Sequence, residues 1–77
     1  MSANDQAGQL VRNIQARMNQ LDVSKSGLAR QMGVSRSSVI RWLNGTHVPD
    51  HISVLRIAEA LQTPWQWFYE AHESPDE

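Results

Sequence analysis

The chain has 77 residues, which is enough for one small domain and too few for two. It contains no cysteine, so disulfides, thiolate nucleophiles and cysteine-ligated zinc are excluded, and the composition suits a reducing cytoplasm. No apolar run approaches the roughly 20 residues of a membrane helix, and the chain lacks the basic start of a signal peptide. We therefore expect a cytoplasmic protein that does not enter a membrane.

Charge is distributed unevenly along the sequence. The net charge is −1, but residues 10–49 carry six basic residues against one acidic residue, a local charge of +5. Residues 50–77 carry one basic residue against six acidic ones, a local charge of −5. Such an asymmetry is either an electrostatic footprint for a polyanion or an ordinary solvated surface of mixed charge.

The first predicted element is a helix over residues 6–21, with Asn4 or Asp5 as its cap. Residues 1–5 are predicted to be disordered from their composition. The apolar positions of this helix recur at spacings of four, four and three, the period of an amphipathic helix. They are Leu10, Ile14, Met18 and Leu21.

Two short helices are predicted next, over residues 25–32 and 36–43. Each follows a serine that is a good N-cap and ends at a glycine suited to a C-terminal turn. Their apolar residues fall on one face at helical spacing. These residues are Leu28, Ala29 and Met32 in the first helix and Val39, Trp42 and Leu43 in the second.

The fourth predicted helix covers residues 51–61 and follows a loop that contains Pro49, with Asp50 as its cap. Its predicted apolar stripe is Ile52, Leu55, Ala58 and Leu61, widened by Ile57 and Ala60.

A short fifth helix is predicted after Thr63-Pro64, which has the form of an N-cap followed by a proline at the first helical position. It would carry Trp65, Trp67, Phe68 and Tyr69. No segment alternates with period two for long enough to form a strand. The predicted fold class is therefore all-α, a compact domain of five short helices.

The second and third predicted helices have the spacing of a helix-turn-helix. In that motif the second helix enters the major groove of DNA, and the N-terminal residues of this helix lie on the base edges. Arginine can pair with guanine in a bidentate way, serine can bond several base edges, and an aliphatic side chain can contact the thymine methyl group. The residues of the third helix that lie off its apolar stripe are Arg36, Ser37, Ser38, Ile40 and Arg41.

An ordered series of short motifs runs through the same part of the chain. It consists of Leu28-Ala29, Gly33-Val34-Ser35, Val39, Trp42, Asn44-Gly45, Pro49 and the segment 55–61. This combination resembles the lambda-repressor-like or Cro-type domains of the XRE family, and the resemblance covers about residues 8–69. It implies a five-helix domain that dimerises on a palindromic operator with its third helix as the reader.

The resemblance also implies roles for single residues. The base readers would be Arg36, Ser37 and Arg41, with Ser38 and Ile40 secondary. The phosphate-binding residues would be Lys25, where the family commonly has glutamine, and Asn44, Thr46 and His47 in the loop after the third helix. The alternative for each of these residues is an ordinary solvated side chain.

The chain departs from the family pattern at two places. The family often has a glutamate after the tryptophan, paired with an arginine of the first helix, where this chain has Leu43 and Met18. We expect a dry contact between these two side chains, because apolar groups can replace a buried ion pair without loss of stability. Gly27 inside the second helix either allows a close approach to phosphate or is simply tolerated.

The aromatic residues near the end of the sequence are candidates for a dimer interface. Phe68 occupies the core position of the family, Trp65 is expected to cover the fourth helix, and Trp67 is expected to face outward. Aromatic anchors are enriched in interfaces. The predicted interface therefore consists of Trp65, Trp67 and Tyr69 across a two-fold axis. The alternative is that Trp67 only shields a loop of its own monomer.

Other kinds of site are poorly supported. His47 and His51 lie four residues apart, but Pro49 lies between them and no third metal ligand is evident, so no metal is expected. The sequence has no glycine-rich phosphate loop and no triad pattern. An enzyme is the least expected class, and no cofactor is expected.

The sequence therefore predicts a bacterial or phage regulator of transcription that binds double-stranded DNA as a homodimer, most simply a repressor, in the cytoplasm at the nucleoid. The expected divisions are a disordered tail over 1–5, the helix-turn-helix domain over 6–71 and an acidic disordered tail over 72–77. We expect no further domain for a ligand, peptidase or kinase input. The alternatives are a restriction-modification controller, the DNA-binding antitoxin of a toxin pair, or a protein-interaction module that uses the Trp-rich surface.

Overall fold

The structure is a computed structural model that describes the backbone of residues 3–70 and the side chains of residues 8–70. The predicted acidic tail over 72–77 lies outside the described residues. Within the described part, the chain forms four α-helices and one short 3₁₀ helix without any strand, which confirms the all-α class. The elements are α1 (Ala3–Leu21), α2 (Lys25–Met32), α3 (Arg36–Asn44), α4 (His51–Ala60) and the 3₁₀ helix Trp65–Tyr69.

Helix α1 begins earlier than its sequence predicts. Its first residue is Ala3, so Asn4 and Asp5 lie inside the helix and neither residue is its cap. The helix ends at Leu21, as predicted. Asp22 follows in the left-handed region at φ 57°, a conformation that aspartate tolerates better than most residues, and this turn separates α1 from α2.

The predicted serine caps begin both helices of the helix-turn-helix. The Ser24 hydroxyl accepts a hydrogen bond from the Gly27 N–H at 2.9 Å, and the Ser35 hydroxyl accepts one from the Ser38 N–H at 3.2 Å. A Cβ atom at Gly27 would lie 3.1 Å from the Ser24 hydroxyl oxygen. The glycine therefore leaves room for the cap of its own helix, which is a local reason for a residue that otherwise weakens a helix.

Both helices of the motif also end as predicted, at glycines in the left-handed region. The φ angles are 71° at Gly33 and 79° at Gly45. Residues with a Cβ rarely adopt this conformation, so each glycine allows the sharp turn that follows its helix. Helix α2 has its predicted bounds, and α3 extends one residue further, to Asn44.

Helix α4 and the residue after it bury Ile57, Ala58 and Leu61 as predicted, but the first half of the predicted stripe is not in the core. Asp50 caps it as expected, and its Oδ1 atom accepts a hydrogen bond from the Ser53 N–H at 2.8 Å. However, Ile52 and Leu55, two members of the predicted stripe, are 68% and 38% exposed. Both faces have apolar residues at helical spacing, so the contacts with α2 and the 3₁₀ helix select between them. The buried residues of this part are Val54, Ile57, Ala58 and Leu61.

The last element is a 3₁₀ helix rather than the predicted α-helix, and Thr63 is not its cap. The Thr63 hydroxyl donates a hydrogen bond to the Leu61 carbonyl at 2.8 Å and accepts one from Arg17 Nε at 2.7 Å. Pro64 occupies the cap position, and no side-chain hydrogen bond is made there. The hydroxyl that the sequence assigns to a local cap is therefore used in a tertiary contact with α1.

The core lies between α1, the helix-turn-helix and α4, with Phe68 fully buried beneath them. The Asn13 side chain of α1 donates hydrogen bonds to the carbonyls of Phe68 and Glu70, both at 2.8 Å. These bonds hold the end of the described chain against α1. The buried apolar residues are Leu10, Ile14, Met18, Leu28, Ala29, Met32, Val39, Leu43, Val54, Ile57, Ala58, Leu61 and Phe68.

Candidate nucleic-acid interface

Helices α2 and α3 are held in place by side chains of their neighbours. Arg56 of α4 donates from Nη2 to the Met32 carbonyl at 3.3 Å, near the end of α2. Gln15 of α1 donates from Nε2 to the Leu43 carbonyl at 3.2 Å, near the end of α3. Carbonyls at helix ends lack partners within the helix, so these two bonds satisfy groups that would otherwise need water. The C-terminal ends of α2 and α3 are thus each fixed by a hydrogen bond to a neighbouring helix.

The outward face of α3 carries the main predicted base readers. Val39 and Leu43 are buried, whereas Arg36, Ser37 and Arg41 are exposed. Ser37, Arg41 and the last residue of the helix follow one another at spacings of four and three, so they form the centre of this face. The structure therefore leaves two arginines and a serine exposed on one capped helix, with Ser37 and Arg41 at the centre of the exposed face and Arg36 beside it.

The two secondary base-reading candidates are less available than the other three. Ser38 is half-buried, and its N–H donates to the Ser35 hydroxyl, which lies 3.1 Å from the hydroxyl of Ser38 itself. Ile40 is also half-buried. On the helix surface, Ser38 lies at one edge of the exposed face, and Ile40 lies between Arg36 and Ser37.

The predicted phosphate-binding residues lie at two ends of the motif. Lys25 is the first residue of α2, and Asn44 is the last residue of α3. The N–H groups of Thr46 and His47 both donate to the Arg41 carbonyl, at 3.0 and 3.3 Å, which folds the loop back over the end of α3. All four side chains are exposed, so each is accessible to a ligand that covers the face of α3.

The charge of this region is entirely of one sign. Residues 23–49, which include the whole motif and its following loop, contain four basic residues and no acidic residue. The basic residues are Lys25, Arg30, Arg36 and Arg41, and all four are exposed. A surface of this composition attracts a polyanion over a distance of about a Debye length, roughly 8–10 Å at physiological salt.

Met18 and Leu43 are both buried, as the predicted dry contact requires, and the contact itself stays a prediction. They are 4% and 8% exposed and belong to the same apolar cluster. They also line a surface cavity of about 340 Å³ between α1, α3 and the start of α2. The polar residues of its rim include Gln15, Asn19 and Lys25.

Trp67 does not face outward as its sequence position predicts. It is half-buried against the core, its ring meets Phe68 edge to face at 5.3 Å, and the Arg17 guanidinium lies 5.8 Å from its centroid. The physical reason is the 3₁₀ geometry, since three residues per turn place successive side chains differently from an α-helix. Trp67 therefore packs within its own monomer.

Trp65 and Tyr69, the other two members of the predicted interface, are 40% and 46% exposed. They are joined through His51 at the start of α4, which meets Trp65 edge to face at 5.2 Å. The His51 Nδ1 atom lies 3.1 Å from the Tyr69 hydroxyl. Burial raises the pKa of Tyr69, and the negative charge of Asp50 raises it further. Trp65 thus covers the start of α4, as expected, and forms an aromatic cluster there.

The exposed apolar side of α4 was not predicted, because Ile52 and Leu55 were expected in the core and are instead exposed. The available signal was Val54, which forms an equally good helical series with Ile57 and Leu61 and is fully buried. Residues 8–70 contain no group of three potential metal ligands. In the described part of the chain, no helix has the length and apolarity needed to cross a membrane.

A family model described as helix-turn-helix matches residues 14–68, which is more than half of the chain. No curated protein and no solved structure matches it. The matched range begins within α1, contains the whole motif and ends at the buried Phe68, so it includes every residue of the apolar core except Leu10. The chain belongs to the XRE-type helix-turn-helix family, which includes lambda-repressor-like and Cro-like domains, and is a DNA-binding transcription regulator of this type.

Proposed function

We propose that the protein represses transcription by binding a specific inverted repeat in double-stranded DNA as a homodimer, with α3 in the major groove. The observation that carries this proposal is the exposed face of α3, which presents two arginines and a serine from a helix capped at both ends. Helices of this kind fit the major groove, and operators with two-fold symmetry mirror dimers of their readers. A bound dimer represses most simply by occupying a promoter.

The proposed roles follow from the chemistry of each side chain. Arg36 and Arg41 would each pair with the O6 and N7 atoms of a guanine, and Ser37 would bond a base edge near the start of the helix. Ser38 and Ile40 would contribute beside these residues, Ile40 through a thymine methyl group. These contacts would determine the sequence that is read.

Phosphate contacts would fix the register of α3 on the duplex. Lys25 would meet one strand beside the start of α2, where the exposed N–H groups of a helix also favour an anion. Asn44, Thr46 and His47 would meet the backbone beyond the end of α3. Contacts of this kind contribute affinity without sequence information.

The decisive experiment is selection of bound sequences from a random duplex pool, followed by affinity measurements on the enriched site and a scrambled duplex. We expect an enriched inverted repeat with half-sites about 10 base pairs apart. Arg41→Ala should lower affinity for the enriched site about 10- to 100-fold and relax specificity at one base pair of each half-site.

The matched control is Arg12→Ala, which removes an exposed arginine from α1. This variant should retain the specificity of the wild type. Equal, weak binding of the enriched and scrambled duplexes by the wild type would contradict the proposal. The exposed apolar side of α4 would then favour the second candidate, a protein-interaction module. A restriction-modification controller and an antitoxin both bind DNA, so the genes next to the selected site would separate them from a simple repressor.

A further inference from the structure

The surface cavity between α1, the start of α2 and the end of α3, which we call the α1–α3 cavity, has no role in reading bases. Its volume is about 340 Å³, and its apolar lining consists of Met18, Val23 and Leu43. Met18 and Leu43 are buried beneath it, and Val23 is half-buried. Ligand sites have volumes of roughly 300–1,000 Å³ and mostly apolar linings. The α1–α3 cavity is therefore of a size for a small ligand with an apolar body.

The polar residues of the cavity are all exposed, so they form its rim. They are Gln15, Asn19, Ser24 and Lys25. Lys25 is the only charged residue among those that line the cavity, since Asp22 lies outside the lining. Lys25 also makes no ion pair within the described part of the chain. The rim thus carries one positive charge without a counter-charge.

Two of the four rim side chains already have partners within the domain, and two are available to a ligand. Gln15 donates to the Leu43 carbonyl, and the Ser24 hydroxyl accepts the capping bond of α2. The side chains of Asn19 and Lys25 have no hydrogen bond to any other described residue. An amide and an ammonium group both supply N–H donors, and the ammonium group favours an anionic acceptor.

We propose that the α1–α3 cavity binds a small organic carboxylate with an apolar body. The carboxylate accepts hydrogen bonds from the Lys25 ammonium and the Asn19 amide, and the apolar body lies on Met18 and Leu43. One lysine balances the single charge of a carboxylate. A phosphate monoester carries about −1.5 to −2 charges at neutral pH, so part of its charge would stay unpaired beside an apolar lining.

The position of Lys25 gives this ligand a consequence for DNA binding. The proposed function assigns the same ammonium group to a phosphate of the duplex, and the effect described here rests on that assignment. One ammonium group cannot hold both anions at full strength, so carboxylate and duplex compete. The ligand then acts as an inducer that releases the protein from its operator.

The first test uses the methionine methyl groups as reporters, with hexanoate as the probe. The chain has methionines at positions 1, 18 and 32, and Met32 is buried outside the cavity lining. In NMR spectra of protein labelled with ¹³C-methyl methionine, hexanoate should shift the Met18 signal and leave the Met32 signal in place. Met18→Leu identifies the signal. We expect a dissociation constant of about 1 mM, as for other ligands of this size.

Two relatives of the probe separate its charge from its apolar body. Acetate keeps the carboxylate without the chain, and 1-hexanol keeps the chain without the charge. Each should bind at least about fivefold more weakly than hexanoate, because each loses one of the two kinds of contact. An unchanged Met18 signal, or equal binding of hexanoate and 1-hexanol, would overturn the proposal.

Substitutions at the rim test the proposed contact directly. Lys25→Gln should weaken hexanoate binding at least about fivefold, whereas Lys25→Arg should retain most of it, because the positive charge remains. The matched control is Arg30→Gln, which removes an exposed basic residue of the same helix outside the cavity. It should bind hexanoate like the wild type. Equal weakening in Lys25→Gln and Arg30→Gln would show a general effect of charge and overturn the assigned site.

Binding of the selected duplex in the presence of hexanoate separates this inference from the proposed function. At ten times its dissociation constant, hexanoate should lower the affinity for the duplex about tenfold, and acetate at equal concentration controls for ionic strength. An unchanged affinity would overturn the competition. If hexanoate shifts Met18 but the protein selects no duplex, the proposed function fails and the cavity site stands. If a duplex is selected but Met18 does not respond, the cavity site fails and the proposed function stands.

Discussion

Met18 and Leu43 illustrate how much a single pair of residues can change within a shared fold. The sequence resembles a family in which an arginine and a glutamate often occupy these two positions, and here both side chains are apolar and buried. An apolar pair of similar volume avoids the desolvation of two charges. Met18 lies on α1 and Leu43 near the end of α3, and both line the cavity between these helices.

We predict that the ion pair can be restored only if both residues are changed together. Met18→Arg and Leu43→Glu should each destabilise the domain by on the order of 3 kcal/mol, because each leaves a charge without a partner at a buried position. The double variant should recover at least about 1 kcal/mol relative to the sum of the two single effects. Urea unfolding of the four proteins measures this coupling.

The control for this cycle is Met18→Arg combined with Leu43→Lys, in which two like charges should recover nothing. Equal stability of the two double variants would show that the side chains at positions 18 and 43 do not face each other. The alignment of α1 with the family pattern would then be wrong.

Thr63 belongs to a sequence motif that normally caps a helix, but its hydroxyl makes a tertiary contact with α1. Thr-Pro commonly begins a helix, but the Thr63 hydroxyl is 2.7 Å from Arg17 Nε. The same arginine lies beside the Trp67 ring, and its Nη1 donates to the Gln20 side chain at 2.8 Å. One guanidinium of α1 thus contacts the chain both before and within the 3₁₀ helix.

Among the elements, α2, α3 and α4 have the bounds that their capping residues predict to within one residue. Ser24, Ser35 and Asp50 each accept a hydrogen bond from an N–H three residues later. Asp50 is the only one of the three that titrates. Its hydrogen bonds with Ser53 hold the pKa of the carboxyl below its ordinary value of 3.8.

We predict that the Asp50 cap makes stability depend on pH in acid. The pKa is lower in the folded state, so the stabilisation is present above the ordinary pKa of about 4 and is lost as the pH falls through the folded value. Thermal unfolding between pH 2.5 and 6 should show this loss for the wild type. Asp50→Asn retains an acceptor for the cap but does not titrate, so its stability should change less with pH over this range.

The matched control is Ser35→Asp, which introduces a titrating cap at the start of α3. It should make the pH dependence steeper than in the wild type. Identical pH profiles for the wild type and Asp50→Asn would contradict a role for the Asp50 charge in capping α4.

At the scale of the whole molecule, the two charged regions have different consequences. The positive segment contains the helix-turn-helix, whereas the acidic residues lie outside residues 23–49. A domain with a net charge near zero can therefore still present a local positive surface to DNA. The negative remainder opposes binding in other orientations.

We predict a steep salt dependence that individual phosphate contacts determine. The logarithm of the affinity for the selected duplex should fall linearly with the logarithm of salt concentration. Lys25→Gln should reduce the magnitude of that slope by about 1 while preserving base specificity, because a phosphate contact carries no sequence information. Fluorescence anisotropy at 50–300 mM salt measures both slopes.

Arg12→Gln is the control for this slope, since it removes a positive charge from the exposed side of α1. It should leave the slope within experimental error of the wild type. A slope that does not change in Lys25→Gln would remove Lys25 from the proposed phosphate contacts.

The sequence by itself determined the features that depend on neighbours along the chain. Helix caps, left-handed glycines and the spacing of Val39 and Leu43 act over three to seven residues, so α2, α3 and the outward position of Arg36 and Arg41 could be predicted. The ordered motifs were specific enough to indicate the family, which the family comparison shows.

Only the tertiary structure decided which side of α4 is buried and whether Trp67 faces the core or the solvent. Helix α4 has two apolar faces at helical spacing, and its contacts with α2 and the 3₁₀ helix bury the one with Val54 and expose Ile52. Likewise, Trp67 packs inward from a 3₁₀ helix, and its ring lies beside the Arg17 guanidinium, 50 residues away in sequence. Local patterns carry no information on partners this distant, and the exposed apolar side of α4 therefore emerged only when the helices were packed together.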